Sequence, residues 1–134
     1  MSRTAEIKLT VDLDQDNVPT GIAWEASEAK SAGPTQCQSM MLSLWDADRR
    51  TMAAIDLWAR DTTVDDMNLF FYQAFHQMAE TYKRATRNSE LAKLIHEFGE
   101  RFGGSVGLVG NGAANGRQRK LVDLVAMAEQ RSDG

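Results

Sequence analysis

The N-terminal half of the chain alternates between apolar and polar side chains, which is the two-residue period of half-buried β-strands. Four such segments are separated by turn or loop residues, and they cover about residues 6–14, 20–26, 37–45 and 51–58. The connections between them are too short to hold a crossover helix. The pattern therefore predicts four strands that pair antiparallel.

The third and fourth predicted strands carry apolar residues on both faces. Leu42 and Ile55 belong to the stronger apolar face, and they share it only if the connecting loop holds an even number of residues. A two-residue loop pairs Trp45 with Met52, whereas a four-residue loop shifts that pairing by two positions. The second face carries Met41, Trp45, Met52, Ala54 and Trp58.

After the fourth strand the apolar positions recur every 3.6 residues or so, which predicts helices. Thr63 stands three residues before Asp66, a spacing that resembles a capping box and places the first helix start at Thr63. A second helix is predicted to begin at Asn88 or Ser89. The glycine pair 103–104 is predicted to end it, since glycine favours the left-handed conformation of a helix C-terminus.

The order β-β-β-β-α-α defines an α+β fold, in which two helices pack on one face of a four-stranded antiparallel sheet. Six of the ten glycines fall between residues 103 and 116, so this segment is predicted to be a flexible linker. Helical spacing of apolar residues then predicts a C-terminal helix over residues 117–130. The sequence thus divides into a domain (1–102), a linker (103–116) and a helical extension (117–134).

Composition and charge limit the classes of partner. The chain has 134 residues, 43% apolar and 25% charged, which is typical of one soluble globular domain. Its net charge of −4 argues against nucleic acid or anionic lipid as a partner. No apolar run is long enough for membrane insertion, and no export signal precedes the first strand. With the single cysteine, Cys37, these features predict a cytoplasmic location.

Candidate chemistry is sparse. One cysteine and two histidines are too few for a paired-cysteine or histidine-rich metal centre. His76 precedes Glu80 by four residues and His96 precedes Glu100 by four, so each pair lies on one helical turn. We interpret both as ordinary surface pairs and expect no metal and no cofactor. The sequence has no nucleophile elbow and no cysteine–histidine arrangement at enzyme spacing, so we expect no enzymatic activity.

The second face of the third and fourth strands is the most informative feature. If the helices cover only the other face, it exposes a larger apolar patch than a monomer usually does, and Trp and Met are enriched in interfaces. The alternative is cover by the C-terminal segment or a long loop. A short isolated helix also needs a partner surface to be stable. The predicted partner-binding residues are Met41, Trp45, Met52 and Trp58 in the sheet and Leu121, Leu124 and Val125 in the extension.

Several spaced motifs resemble the gliding motility protein GldC family. They are Leu42-Ser43-Leu44-Trp45-Asp46, Ile55-Asp56-Leu57-Trp58 with Asp61, Val64-Asp65-Asp66-Met67, Glu6-Ile7-Lys8, Asn17-Val18-Pro19 and Met78-Ala79-Glu80-Thr81-Tyr82. The resemblance covers about residues 5–102. It implies a small cytoplasmic accessory protein of bacterial surface gliding, with no enzymatic activity and no functional residues to carry over. Family members usually end near the second helix, so the extension is an addition.

Three hypotheses follow from these patterns. The first is a non-enzymatic adaptor that binds components of the gliding machinery or further copies of itself through the second sheet face. The strand and helix order is also similar to that of the SecB export chaperone, so the alternative is a holdase that binds extended apolar segments. The third is a small-molecule or metal-dependent enzyme that uses His76 or His96.

Overall fold

The computed structural model describes residues 2–29 and 33–109. The predicted C-terminal helix, with Leu121, Leu124 and Val125, lies outside the described residues, as does most of the predicted linker. Within the described part, one compact unit ends at Thr62 and a second begins at Thr63. The first holds every described strand and the second holds two helices, so the fold is α+β.

The first three strands form one antiparallel sheet with β2 in the centre. Its strands are β1 (Ile7–Leu13), β2 (Pro19–Ala26) and β3 (Thr35–Cys37). Leu9 pairs with Trp24 and Val11 with Ile22, so the alternating apolar side chains of β1 and β2 share a face, as predicted. Ile22 is fully buried there and anchors this sheet.

The last two strands form a second antiparallel sheet of two strands, β4 (Ser39–Asp46) and β5 (Thr51–Trp58). The prediction of one four-stranded sheet is therefore wrong. The third predicted strand is divided at Gln38, where the chain stops pairing with β2 and starts pairing with β5. Two backbone hydrogen bonds connect the end of β5 to the first sheet and to the residue that follows it. They run from Ala59 N–H to the Gln38 carbonyl and from Arg60 N–H to the Pro19 carbonyl, and both measure 2.8 Å.

The loop between β4 and β5 has an even number of residues, as predicted from the apolar faces. Pairing ends at Asp46 opposite Thr51, and the register places Trp45 directly opposite Met52. This is the register of the shorter predicted loop, although residues 47–50 form a turn rather than pairing. Asp46 Oδ1 organises that turn by accepting hydrogen bonds from the backbone N–H of Asp48 (3.0 Å) and Arg49 (3.1 Å).

The two helices form a hairpin with a very short connection. They are α1 (Val64–Thr86) and α2 (Ser89–Ser105). Thr63 caps α1 by accepting from the Asp66 N–H, and Asn88 caps α2 by accepting from the Leu91 N–H, which confirms both predicted starts. Between them Arg87 adopts a left-handed φ of 61°, which reverses the chain.

The predicted end of the second helix is wrong, because α2 continues through Gly103 and Gly104 to Ser105. Gly103 is buried, and a Cβ there would lie 2.6 Å from Tyr72 Cε2 on α1. This glycine therefore lets the helices approach each other. The first residues of the predicted flexible linker are accordingly helical.

The position of the helices on the sheets stays a prediction. No helix in the described ranges is long and apolar enough to cross a membrane.

Candidate functional site

The register of β4 and β5 brings the four predicted sheet residues onto one face, hereafter the Trp45 face (Met41, Trp45, Met52 and Trp58). Trp45 and Met52 form a direct cross-strand pair next to the turn. Their side chains are 64% and 61% exposed. Since large apolar side chains are normally covered in a folded protein, this pair is the centre of a candidate contact surface.

The Trp45 face changes in exposure along the strands. Trp58, opposite Ser39 at the far end from the turn, is only half-buried, and Met41, opposite Asp56, is 38% exposed. The surface available to a partner therefore lies mainly at the turn end, around Trp45 and Met52. The other predicted partner-binding residues, Leu121, Leu124 and Val125, lie outside the described part of the chain.

The opposite face of the same strands also carries exposed apolar side chains near the turn, and its cover by the helices stays a prediction. Leu44 is 56% exposed and Ile55 is 52% exposed. The turn end of this hairpin is thus apolar on both faces. The sequence already indicated apolar residues on both faces of these two strands.

The base of the β4–β5 hairpin is fixed by a carboxylate in the β1–β2 turn. Asp14 Oδ1 accepts from the backbone N–H of Asp16 (2.8 Å) and Val18 (3.0 Å), and Asp14 Oδ2 accepts from Arg60 Nη1 (2.7 Å). Backbone hydrogen bonds from Val18 and Asp16, together with the positive charge of Arg60, hold the pKa of Asp14 below its ordinary value. Asp14 was predicted only as part of the first strand, and its contact with Arg60 was not predicted.

The helical hairpin contains a second constellation, formed by His76, His96 and Glu100. His76 Nε2 lies 3.2 Å from Glu100 Oε1, and His96 Nε2 lies 3.7 Å from the same oxygen. The His96–Glu100 pair was expected, whereas the contact of His76 with Glu100 on the other helix was not. The hydrogen bond from its ring to the Tyr72 carbonyl, and the nearby Glu100 carboxylate, raise the pKa of His76.

The signal for that cluster was available in the sequence. In two antiparallel helices, residues equally distant from the connection lie side by side. Arg87 and Asn88 mark the connection, and His76 and Glu100 lie at similar distances on either side of it. The interpretation as two independent surface pairs is therefore wrong for His76.

These elements define a small α+β protein with an exposed apolar hairpin and a helical pair that carries its polar cluster. The chain belongs to the GldC-like family: the model of the gliding motility-associated protein GldC-like matches residues 19–107, more than half of its length. This confirms the family that the motifs indicated, although the match begins at β2 and extends past α2, where we expected residues 5–102. Neither the curated proteins nor the solved structures gave a match to this chain.

Proposed function

We propose that this protein is a non-enzymatic cytoplasmic adaptor of bacterial gliding motility that acts through protein–protein contacts on the Trp45 face. The family membership associates the chain with gliding motility. The observation that supports an adaptor role is the exposed cross-strand pair of Trp45 and Met52.

The chemistry of the Trp45 face suits a protein partner. An aromatic side chain buries about 150–250 Å² on association, and buried Trp residues are among the commonest interface hot spots. Met52 beside Trp45 adds an adaptable apolar surface. Fully burying an exposed apolar side chain contributes about 1.5–3 kcal/mol, so covering the exposed parts of both residues would contribute favourably to a contact of ordinary size.

Charged residues surround the apolar pair at the turn end. Asp46, Asp48, Arg49 and Arg50 lie in or beside the turn, and both signs of charge are present. An apolar centre with a polar rim is the usual anatomy of a protein interface. The mixed signs favour a partner that is itself mixed in charge, such as a gliding-machinery component or a second copy of this chain.

The proposal is tested with the variant Trp45→Ser/Met52→Ser. Both side chains are more than half exposed, so the fold should tolerate the change. Affinity purification from the native organism is expected to recover identified gliding components with the wild type and to lose them with the variant. Light scattering of the purified chain at several concentrations shows whether further copies bind through the same face.

The matched control is Ile7→Ser, which also replaces an exposed apolar strand residue, 76% exposed and outside the hairpin. It should leave both measurements unchanged. If the double variant retains the same partners and the same molar mass as the wild type, the adaptor proposal fails. If instead the wild type suppresses aggregation of unrelated unfolded proteins through Trp45 and Met52, the holdase hypothesis replaces it.

A further inference from the structure

We propose that His76, His96 and Glu100 form a binding site for a divalent transition-metal ion of the zinc class. The proposal is independent of the Trp45 face, because it rests only on the helical hairpin. It also departs from the expectation of no metal, which treated the histidines as separate surface pairs. The three side chains supply two imidazole nitrogens and one carboxylate oxygen, the donor set of several zinc sites.

The distances between the donor atoms are compatible with a shared metal ion. The ligand atoms of the three residues all lie within 4.8 Å of one another, and the two nitrogen–oxygen distances are 3.2 and 3.7 Å. Tetrahedral zinc with bonds of about 2.0–2.1 Å has its ligand atoms about 3.3 Å apart. A metal ion can therefore occupy the space between the donors after small rotations of exposed side chains.

The hydrogen bond of His76 prepares its ring for metal binding. His76 Nδ1 lies 2.8 Å from the Tyr72 carbonyl oxygen, and because a carbonyl can only accept, Nδ1 carries the proton. In the neutral ring the lone pair is then on Nε2, which points at the Glu100 carboxylate. Either a proton on Nε2 or a metal ion can lie between these two acceptors, so zinc would compete with protonation of His76. A backbone carbonyl on the distal nitrogen is also the usual support of a metal-bound histidine.

Close helix packing fixes the position of that ring. A Cβ added at Gly99 would lie 3.0 Å from His76 Cε1, so the absence of a side chain at Gly99 leaves room for the imidazole against α2. Phe75, next to His76, packs edge-on against Phe98 and Phe102, with ring centroids 5.0 and 5.3 Å apart. These contacts hold one ligand from α1 against two ligands from α2.

The two histidines of the proposed site also border a groove. His76 and His96 line a groove of about 400 Å³ on the helical hairpin, together with Glu80, Lys83, Ala92 and Lys93. The three ligand side chains are 26%, 51% and 41% exposed, so an ion can enter from solvent. Three protein ligands and an open fourth position would distinguish this site from closed structural zinc sites, which have four protein ligands.

The test uses the full chain without a histidine tag, freed of metal with a chelator and titrated with zinc chloride. Because the chain has only two histidines, each gives its own imidazole signal in NMR spectra. We expect one zinc ion per chain by calorimetry, with both imidazole signals shifting together. Loss of supporting groups around a metal ligand costs about 10–100-fold in affinity, so His76→Gln, His96→Gln and Glu100→Gln should each weaken binding by at least about tenfold.

Two variants serve as controls. Glu97→Gln removes an exposed carboxylate of the same helix, and Cys37→Ser removes the single thiol. Both should bind zinc as the wild type does. The proposal is overturned if millimolar zinc moves neither imidazole signal of the wild type, or if His76→Gln/His96→Gln binds zinc unchanged. The wild-type spectrum decides the matter even where a ligand variant does not fold.

Discussion

At the scale of single residues, Asp14 illustrates how one carboxylate connects two parts of a fold. Its two oxygens accept from the β1–β2 turn and from Arg60 at the end of β5. All these donors favour the ionised form, which is why the pKa of Asp14 is lowered from its ordinary value of 3.8. The stabilisation from this group is therefore present above that value and is lost as the pH falls through the lower folded-state pKa.

The variant Asp14→Asn tests this linkage. An asparagine can still accept from the turn, but it loses the charge that attracts Arg60. Thermal unfolding followed by circular dichroism should give a lower midpoint for the variant from neutral pH down to about pH 5, where the unfolded carboxyl is ionised. Below pH 3.8 the two midpoints should converge. A difference that persists equally at acid pH would show that charge is not the cause.

At the scale of elements, the sequence predicted what depends on local pattern and missed what depends on distant contacts. Thr63 and Asn88 start the helices as expected, because a cap is a local hydrogen bond. The Trp45 face was predicted because register follows from the alternation. The change of pairing partner at Gln38 was not predicted, because no glycine or proline marks that position. The change depends on which strands compete to pair with this segment. The contact between His76 and Glu100 depends on the packing of α1 against α2, so the pattern of either helix alone did not predict it.

The glycine pair in α2 allows a sharp test of helix packing. Gly103→Ala would place a Cβ 2.6 Å from Tyr72 Cε2 and 2.8 Å from Val109 Cγ2, so neighbouring groups must shift. Such overpacking typically costs about 1–3 kcal/mol. Gly104 has nothing within 4 Å of an added Cβ, and Gly104→Ala should stabilise by about 0.5–1 kcal/mol through helix propensity.

Chemical denaturation of the two variants measures this difference in the free energy of unfolding. The substitutions are chemically identical and adjacent, so each controls for the other. Equal effects of the same sign at both positions would contradict the packing role of Gly103.

At the scale of the whole molecule, the described residues bury few large apolar side chains and leave many exposed. Ile22 is the one large aliphatic residue among the buried apolar set of the described part, the others being Ala59, Ala79 and Ala92. Exposed large apolar residues occur on both units, including Phe98 (57%) and Leu94 (59%) in α2. Apolar side chains of this size, exposed on each unit taken by itself, are usually covered by a further packing partner.

The response of association to salt should distinguish apolar from ionic contact. Copies of this chain carry a net charge of −4 each and repel one another, while the Trp45 face binds through apolar burial, which salt does not screen. Self-association measured by sedimentation velocity should therefore strengthen, or stay unchanged, as sodium chloride rises through the physiological range. Trp45→Ser/Met52→Ser should remove it at every concentration of salt. Association that weakens steeply with salt would point to the turn charges around Arg49 instead, and would contradict an apolar interface centred on Trp45.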